Sequence, residues 1–134
     1  MTAFFDSNVV IYAYSIDARR DRALGIMAAG GTISAQVLNE VTSVLRNKQR
    51  QEWPIIEGIL AVVKERCPMI VPLTAELHAA ALTLARDHIL AFYDALIVAA
   101  AIEAGCDTLW SEDMQHGQVI GRLTIRNPFL ESAP

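Results

Sequence analysis

The sequence predicts an α/β fold with a mostly parallel central sheet, and two observations carry that expectation. Short strand-forming runs alternate along the chain with longer stretches of helical periodicity. Strands that alternate with helices are joined by crossovers, and crossovers make parallel pairs. In addition, 134 residues with 53% hydrophobic content suffice to bury one core without disulfide staples.

Each element has a local cause. Ala3 to Phe5 reads as a short buried strand ending at Asp6. A helix follows at once, with Val9, Val10, Tyr12 and Ala13 as packing residues and Ser7 or Asn8 near its cap. A second helix fits from about Ala18 to Ala29, ended by Gly30-Gly31. Thr32-Ile33-Ser34 is the next strand. Val37, Val41, Val44 and Leu45 then recur at helical spacing, on a helix running to about Arg50. Trp53-Pro54 opens another helix, with proline suited to the first turn. Met69-Ile70-Val71 is a strand stopped by Pro72, and Thr74-Ala75-Glu76-Leu77 a capped start to a helix reaching about His88. Tyr93 to Ala104 is apolar on nearly every face, so that helix must be buried on most sides. Gly105 ends it, and Thr108-Leu109-Trp110 and Leu123-Thr124-Ile125 supply the last strands. No repeat, low-complexity tract or linker interrupts residues 1–134, which are expected to form one domain.

Composition narrows the function classes. The mean hydropathy of +0.31 excludes a disordered chain. No apolar run approaches the roughly 20 residues needed to cross a bilayer. The opening MTAFFDSN lacks the basic and apolar regions of a signal peptide. Cys67 and Cys106 form no metal-ligand spacing and no disulfide framework, and read as small core residues. A cytoplasmic protein with no membrane association is the expectation. The formal charge of −4 argues against nucleic acid unless the acids are gathered around cations. The positive charges are clumped in Arg19-Arg20-Asp21-Arg22 and in Arg46-Asn47-Lys48-Gln49-Arg50. Either clump is a solvated helix face or a set of phosphate contacts.

Four carboxylates stand out because each falls at or near a junction of strand and helix: Asp6 in FFDSNVV, Glu40 in ISAQVLNEV, Asp94 in FYDALIVAAA and Asp113 in LWSEDM. A parallel sheet gathers ligands at the carboxyl ends of its strands, where Asp6 and Asp113 belong. Each acid also has a structural role open to it. Asp6 suits a helix N-cap, Asp113 a turn, Asp94 a stabiliser of a helix dipole, and Glu40 an exposed helix face. Acids gathered in one cleft repel and resist ionising unless a cation sits between them. Oxygen-only ligands favour Mg2+ or Mn2+ over zinc, which points to metal-assisted phosphodiester chemistry.

With those residues in place, the chain resembles the PIN-domain family over essentially its whole length, in particular the VapC-like toxins of bacterial toxin–antitoxin pairs. The resemblance rests on Asp6-Ser7-Asn8-Val9 after a first strand, Glu40 in the third helix, Tyr93-Asp94-Ala95 opening the buried helix and Ser111-Glu112-Asp113 after the next strand. The ending Leu123-Thr124-Ile125-Arg126-Asn127-Pro128-Phe129 is similar as well. It implies a three-layer α/β/α domain, Mg2+- or Mn2+-dependent endoribonuclease activity on RNA, and a cognate antitoxin that covers the acidic cleft. Carried onto this chain, Asp6, Glu40, Asp94 and Asp113 are the metal-binding and catalytic acids, with Asn8 and Ser111 as supporting polar residues.

Two metals could lower the pKa of an attacking water and stabilise the leaving oxygen, with Asp6 as the expected shared ligand. Arg46, Lys48 and Arg50 are candidate phosphate contacts beside the helix that carries Glu40. His78, His88 and His116 form no cluster and read as surface residues, although His116 lies close to Asp113 in sequence. An aspartyl-phosphate phosphatase or receiver-like domain is disfavoured because Asn8 stands where a second aspartate is wanted. A non-catalytic module that binds protein partners is the remaining alternative. Apolar residues around Leu24-Met27, Ile55-Ile56 and Ile59-Leu60 motivate the expectation of a homodimer.

Overall fold

The computed structural model describes residues 1–130 and consists of six short strands interleaved with helices. Strand β1 (Ala3–Phe5) leads to α1 (Ser7–Ala13) and α2 (Arg20–Met27), and β2 (Thr32–Ser34) to α3 (Ala35–Ser43), which continues as a π-helical turn over Val44–Lys48. Helix α4 (Trp53–Arg66) then precedes β3 (Met69–Val71), α5 (Ala75–His88) and α6 (Phe92–Glu103). Strands β4 (Thr108–Trp110), β5 (Val119–Ile120) and β6 (Leu123–Arg126) close the chain.

The sheet order is β3-β2-β1-β4-β6-β5, parallel throughout except for the β5–β6 hairpin. The α/β fold with a mostly parallel sheet is therefore as expected. From β1 the chain moves outward through β2 to β3, then returns across β1 to lay down β4. Right-handed crossovers put helices from the outward and return legs on opposite faces, which makes three layers. They also create a switch point between β1 and β4, where open α/β sheets form a crevice beyond the strand ends.

Local chemistry places the elements. Phe4 and Phe5 are fully buried, so β1 is a central core strand. The cap of α1 is Asp6 itself, in extended backbone and accepting a hydrogen bond from the Ser7 N–H at 2.7 Å, rather than Ser7 or Asn8. Ser34 and Thr74 cap α3 and α5 through their hydroxyls. Helix α2 begins later than expected because Asp17 accepts from the Arg19 N–H at 2.8 Å and its carbonyl accepts from Arg20, holding a turn ahead of the helix. Helix α6 buries every residue from Ala95 to Ala101 and packs on β2, β4 and α5.

Strand β5 was not foreseen. It pairs Val119 with Thr124 and Ile120 with Leu123 across a Gly121-Arg122 turn, with Gly121 at φ 61°. Of the apolar residues that motivated a homodimer, Ile56 and Met27 belong to the core, whereas Ile55 is exposed. Cys67 and Cys106 are buried, and burial raises both thiol pKa values, that of Cys67 to about 11. Among the described residues no helix is long and apolar enough to cross a membrane.

Candidate functional site

Parallel register brings the first part of the site together. Phe5 pairs with Trp110, so Asp6 and Ser111 leave the sheet side by side at the β1/β4 switch point. The Asp6 N–H donates to the Trp110 carbonyl at 3.0 Å, continuing the ladder one residue past the strand. Asp6 is 3% exposed, and its second carboxylate oxygen accepts from the Ser111 hydroxyl at 2.7 Å and from the Asn8 amide at 3.4 Å. The same Asn8 amide donates to Asp113 at 3.0 Å, while the Asn8 carbonyl oxygen accepts from the Glu112 N–H at 3.1 Å. The Ser111 hydroxyl also accepts from the Asp113 N–H at 3.3 Å. Asn8 and Ser111 therefore tie the buried acid on β1 to the exposed acid on the β4 loop.

Glu40 and Asp94 arrive from helices. Ser34 ends β2, next to β1, and caps α3, so Glu40 projects from the second turn of a helix that starts at the same sheet edge. Gln36, one turn earlier, donates to its carboxylate at 3.1 Å. Asp94 lies in the first turn of α6, whose N-cap Ala91 offers no side-chain cap. A shallow hollow of about 400 Å³ is lined by Gln36, Asn39, Glu40, Ser43 and Tyr93. The roles of Gln36 and Tyr93 were not anticipated, although the four-residue spacing of Gln36 and Glu40 on one helix is a usable signal.

The acids feel one another. The carboxyl of Asp6 is pushed up to about 7, chiefly by burial and further by the charges of Glu40 and Asp94, against the pull of its Ser111 and Ser7 hydrogen bonds. Asp94 is raised by burial, then by the charges of Asp113 and Glu40. All four acids thus share one electrostatic neighbourhood. Among the described residues, however, no three His, Cys, Asp or Glu side chains stand close enough to cage a metal ion as they are. The donor set, carboxylate oxygens backed by amide and hydroxyl groups, suits a hard divalent cation and would be relieved of its mutual repulsion by one.

A second network braces the Glu112 side of this cleft. The Tyr12 hydroxyl donates to Glu112 at 2.6 Å, and Arg19 donates to the other oxygen of Glu112 at 3.2 Å. Arg19 also lies over the Tyr12 ring, 3.9 Å from its centroid, and pairs with Asp17. This burial and bonding push the Tyr12 phenol up to about 12 and hold Asp17 at about 2. The first basic clump is therefore partly committed to the fold.

So is part of the second clump. Arg46 donates to the Gln51 carbonyl at 3.1 Å and lies over the Trp53 ring at 4.7 Å, while Lys48 and Arg50 are exposed. All three histidines are exposed, and His116 accepts a hydrogen bond from the Asn127 N–H.

A doubly wound α/β domain with four interacting acids at its switch point defines a class of acidic-cleft proteins. The family model of the PIN domain matches residues 3–120, and the chain belongs to that family. No curated protein sequence matches the chain significantly. Among solved structures, the chain is similar to VapC20 of Mycobacterium tuberculosis, described as a toxin that cleaves the sarcin–ricin loop. The TM-score is 0.69 at 21% identity, covering 84% of this chain and 90% of that one. A toxin–antitoxin complex from Klebsiella pneumoniae matches with a TM-score of 0.73 at 18% identity, covering 96% and 98%. VapBC2 of Rickettsia felis, bound to a fragment of promoter DNA, matches at 0.66 and 20% identity, covering 95% and 98%.

Proposed function

We propose that this protein is a metal-dependent endoribonuclease, the toxin of a toxin–antitoxin pair that acts in the cytoplasm. The observation that carries the reading is the Asp6–Asn8–Ser111–Asp113 constellation at the β1/β4 switch point, with the charges of Glu40 and Asp94 in reach. A buried aspartate whose pKa is raised to near neutral, chiefly by burial and further by the charges of Glu40 and Asp94, is more than its N-cap bond to Ser7 requires. Such perturbed clusters in clefts mark functional sites.

Asp6, Asp94 and Asp113 are the side chains that would hold Mg2+ or Mn2+, with Glu40 binding at their margin. The cation, when bound, supplies Lewis acidity toward the phosphodiester and a water of lowered pKa. Everything else falls to the chain. Asn8 and Ser111 fix the directions of the Asp6 and Asp113 carboxylates. Gln36 does the same for Glu40, and the Tyr12–Arg19–Glu112 network anchors the loop from which Asp113 projects. Asp6 would have to be ionised to serve as a ligand, and its raised pKa makes that protonation state depend on pH near neutrality.

The structural neighbours from Klebsiella and Rickettsia are toxin–antitoxin assemblies, which supports a small protein antitoxin as partner here. The sarcin–ricin loop cleaved by the Mycobacterium protein makes structured RNA the substrate class to test first. A homodimer remains part of the reading, resting on exposed apolar residues of α4 such as Ile55 and Val62.

The test is cleavage of total RNA by purified protein with Mg2+ or Mn2+, with EDTA, and with Asp94→Asn. Discrete fragments that vanish with chelation and with the substitution are expected. Identical profiles in every lane, from folded protein free of inhibitor, would favour a non-catalytic binding module instead.

A further inference from the structure

A second concavity lies along the same sheet edge, one strand further on. In the order β1-β4-β6, strand β4 and its 111–113 loop stand between Asp6 and the end of β6. Trp110 pairs in register with Arg126, so Arg126 reaches the same carboxyl edge as the acids. There a cavity of about 360 Å³ is lined by Arg22, Trp110, His116, Thr124, Arg126 and Asn127, among others. Among the described residues, three of its lining side chains are basic and none is a carboxylate, in a chain whose formal charge is −4.

The basic groups are presented rather than consumed. Among the described residues neither Arg22 nor Arg126 forms an ion pair. Arg22 is oriented by a bond from its Nε to the Pro128 carbonyl at 2.9 Å, which leaves its two terminal nitrogens as a fork. His116 accepts from the Asn127 N–H through Nδ1 at 2.9 Å, so its neutral ring carries its proton on Nε2 and remains a donor. Two guanidinium groups and a ring N–H around one hollow match the oxygens of a phosphate, which arginine grips with paired bonds.

The location says which phosphate. His116 follows Asp113 by three residues, a span of at most about 11 Å of chain. One RNA strand can therefore meet both places. We propose that this cavity is a phosphate subsite, in which Arg22, Arg126 and His116 hold a backbone phosphate of the RNA strand whose neighbouring phosphodiester lies at the acidic cleft. The identity of the polyanion rests on the nuclease reading; the anion affinity of the cavity does not. The subsite also accounts for how an acidic protein engages RNA, because it places positive charge beside the cleft rather than over the whole surface.

The experiment measures binding without cleavage: fluorescence anisotropy of a labelled short single-stranded RNA, in EDTA, with wild type, Arg22→Gln, Arg126→Gln and the double variant. Arg126→Lys controls for charge, and thermal melting verifies folding. The double variant is expected to bind at least tenfold more weakly, with a slope of log affinity against log salt shallower by about 1–2. Unchanged affinity and slope in a folded double variant would overturn the proposal. Inorganic phosphate should compete with the RNA and shift the His116 ring resonances. Phosphate that shifts them without competing would mean a free-anion site only, and would equally remove the RNA assignment.

A protein that cleaves nothing but shows the arginine-dependent binding would retain the subsite and lose the nuclease reading. A protein that cleaves RNA, with KM unchanged in the double variant, would do the reverse.

Discussion

Replacing Asp6 by asparagine should stabilise the metal-free protein at high pH and leave it little changed at low pH. Asp6 is 3% exposed and its folded-state pKa is raised from 3.8 to about 7. The folded protein therefore binds a proton between about pH 4 and pH 7 that the unfolded chain has released. Stability is greatest below the unfolded pKa and is lost progressively as pH rises through the folded one. A rise from 3.8 to about 7 corresponds to about 4 kcal/mol. At about 0.28 kcal/mol/K of unfolding entropy for a chain of this length, that is a Tm difference of about 7–14 °C if half or more is realised. Asparagine keeps the acceptor for the Ser7 N–H, and the Ser111 hydroxyl can accept where it previously donated. The assay is thermal or urea unfolding of both proteins in EDTA from pH 4.5 to 8.5. Titrating groups remote from Asp6 cancel in the difference. A difference that stays constant across the range would refute the claim that Asp6 is held against its charge.

Three further outcomes follow from the geometry. Saturating Mg2+ should narrow the difference at pH 8, raising wild type by about 2.7 kcal/mol at a hundred times the dissociation constant and Asp6→Asn by far less; calorimetric melting with and without Mg2+ checks this. Asn8→Ala removes the amide shared by Asp6 and Asp113 and the acceptor for Glu112. Cleavage should fall about 10–100-fold for a stability loss of about 1–2 kcal/mol, measured by initial rates and urea unfolding. Gly31→Ala would set a Cβ 2.6 Å from the Phe5 ring and 2.9 Å from the Ala3 carbonyl, both in or beside the central strand. A loss of about 1–3 kcal/mol in urea unfolding is expected.

Much of this architecture was legible because its signals are local. The Phe4-Phe5 strand, the threonine cap at 74 and the all-apolar α6 are each written in a few adjacent residues. The four acids were legible as a group because strand–helix junctions in a parallel fold converge on one edge. What escaped depends on partners far apart in sequence. Strand β5 is two residues long, too short for any alternation, and exists only because it pairs with β6. The bond from Arg19 to Glu112 spans 93 residues, and the Arg22–Arg126 cavity joins the two ends of the chain. Periodicity carries no information about either. The sequence offered Asp6 as either a site acid or a helix N-cap, with Ser7 and Asn8 also near the cap, and the structure gives the capping bond to Asp6.

The account stands on the claim that Asp6, Glu40, Asp94 and Asp113 act as one cation site. Isothermal titration calorimetry with Mn2+ tests it directly, on wild type and on Asp6→Asn, Glu40→Gln, Asp94→Asn and Asp113→Asn, each shown to be folded. Saturable binding by wild type, weakened about tenfold or more by every aspartate substitution and less by Glu40→Gln, is the expected result. Affinity that is absent in wild type, or indifferent to these residues, would contradict the account.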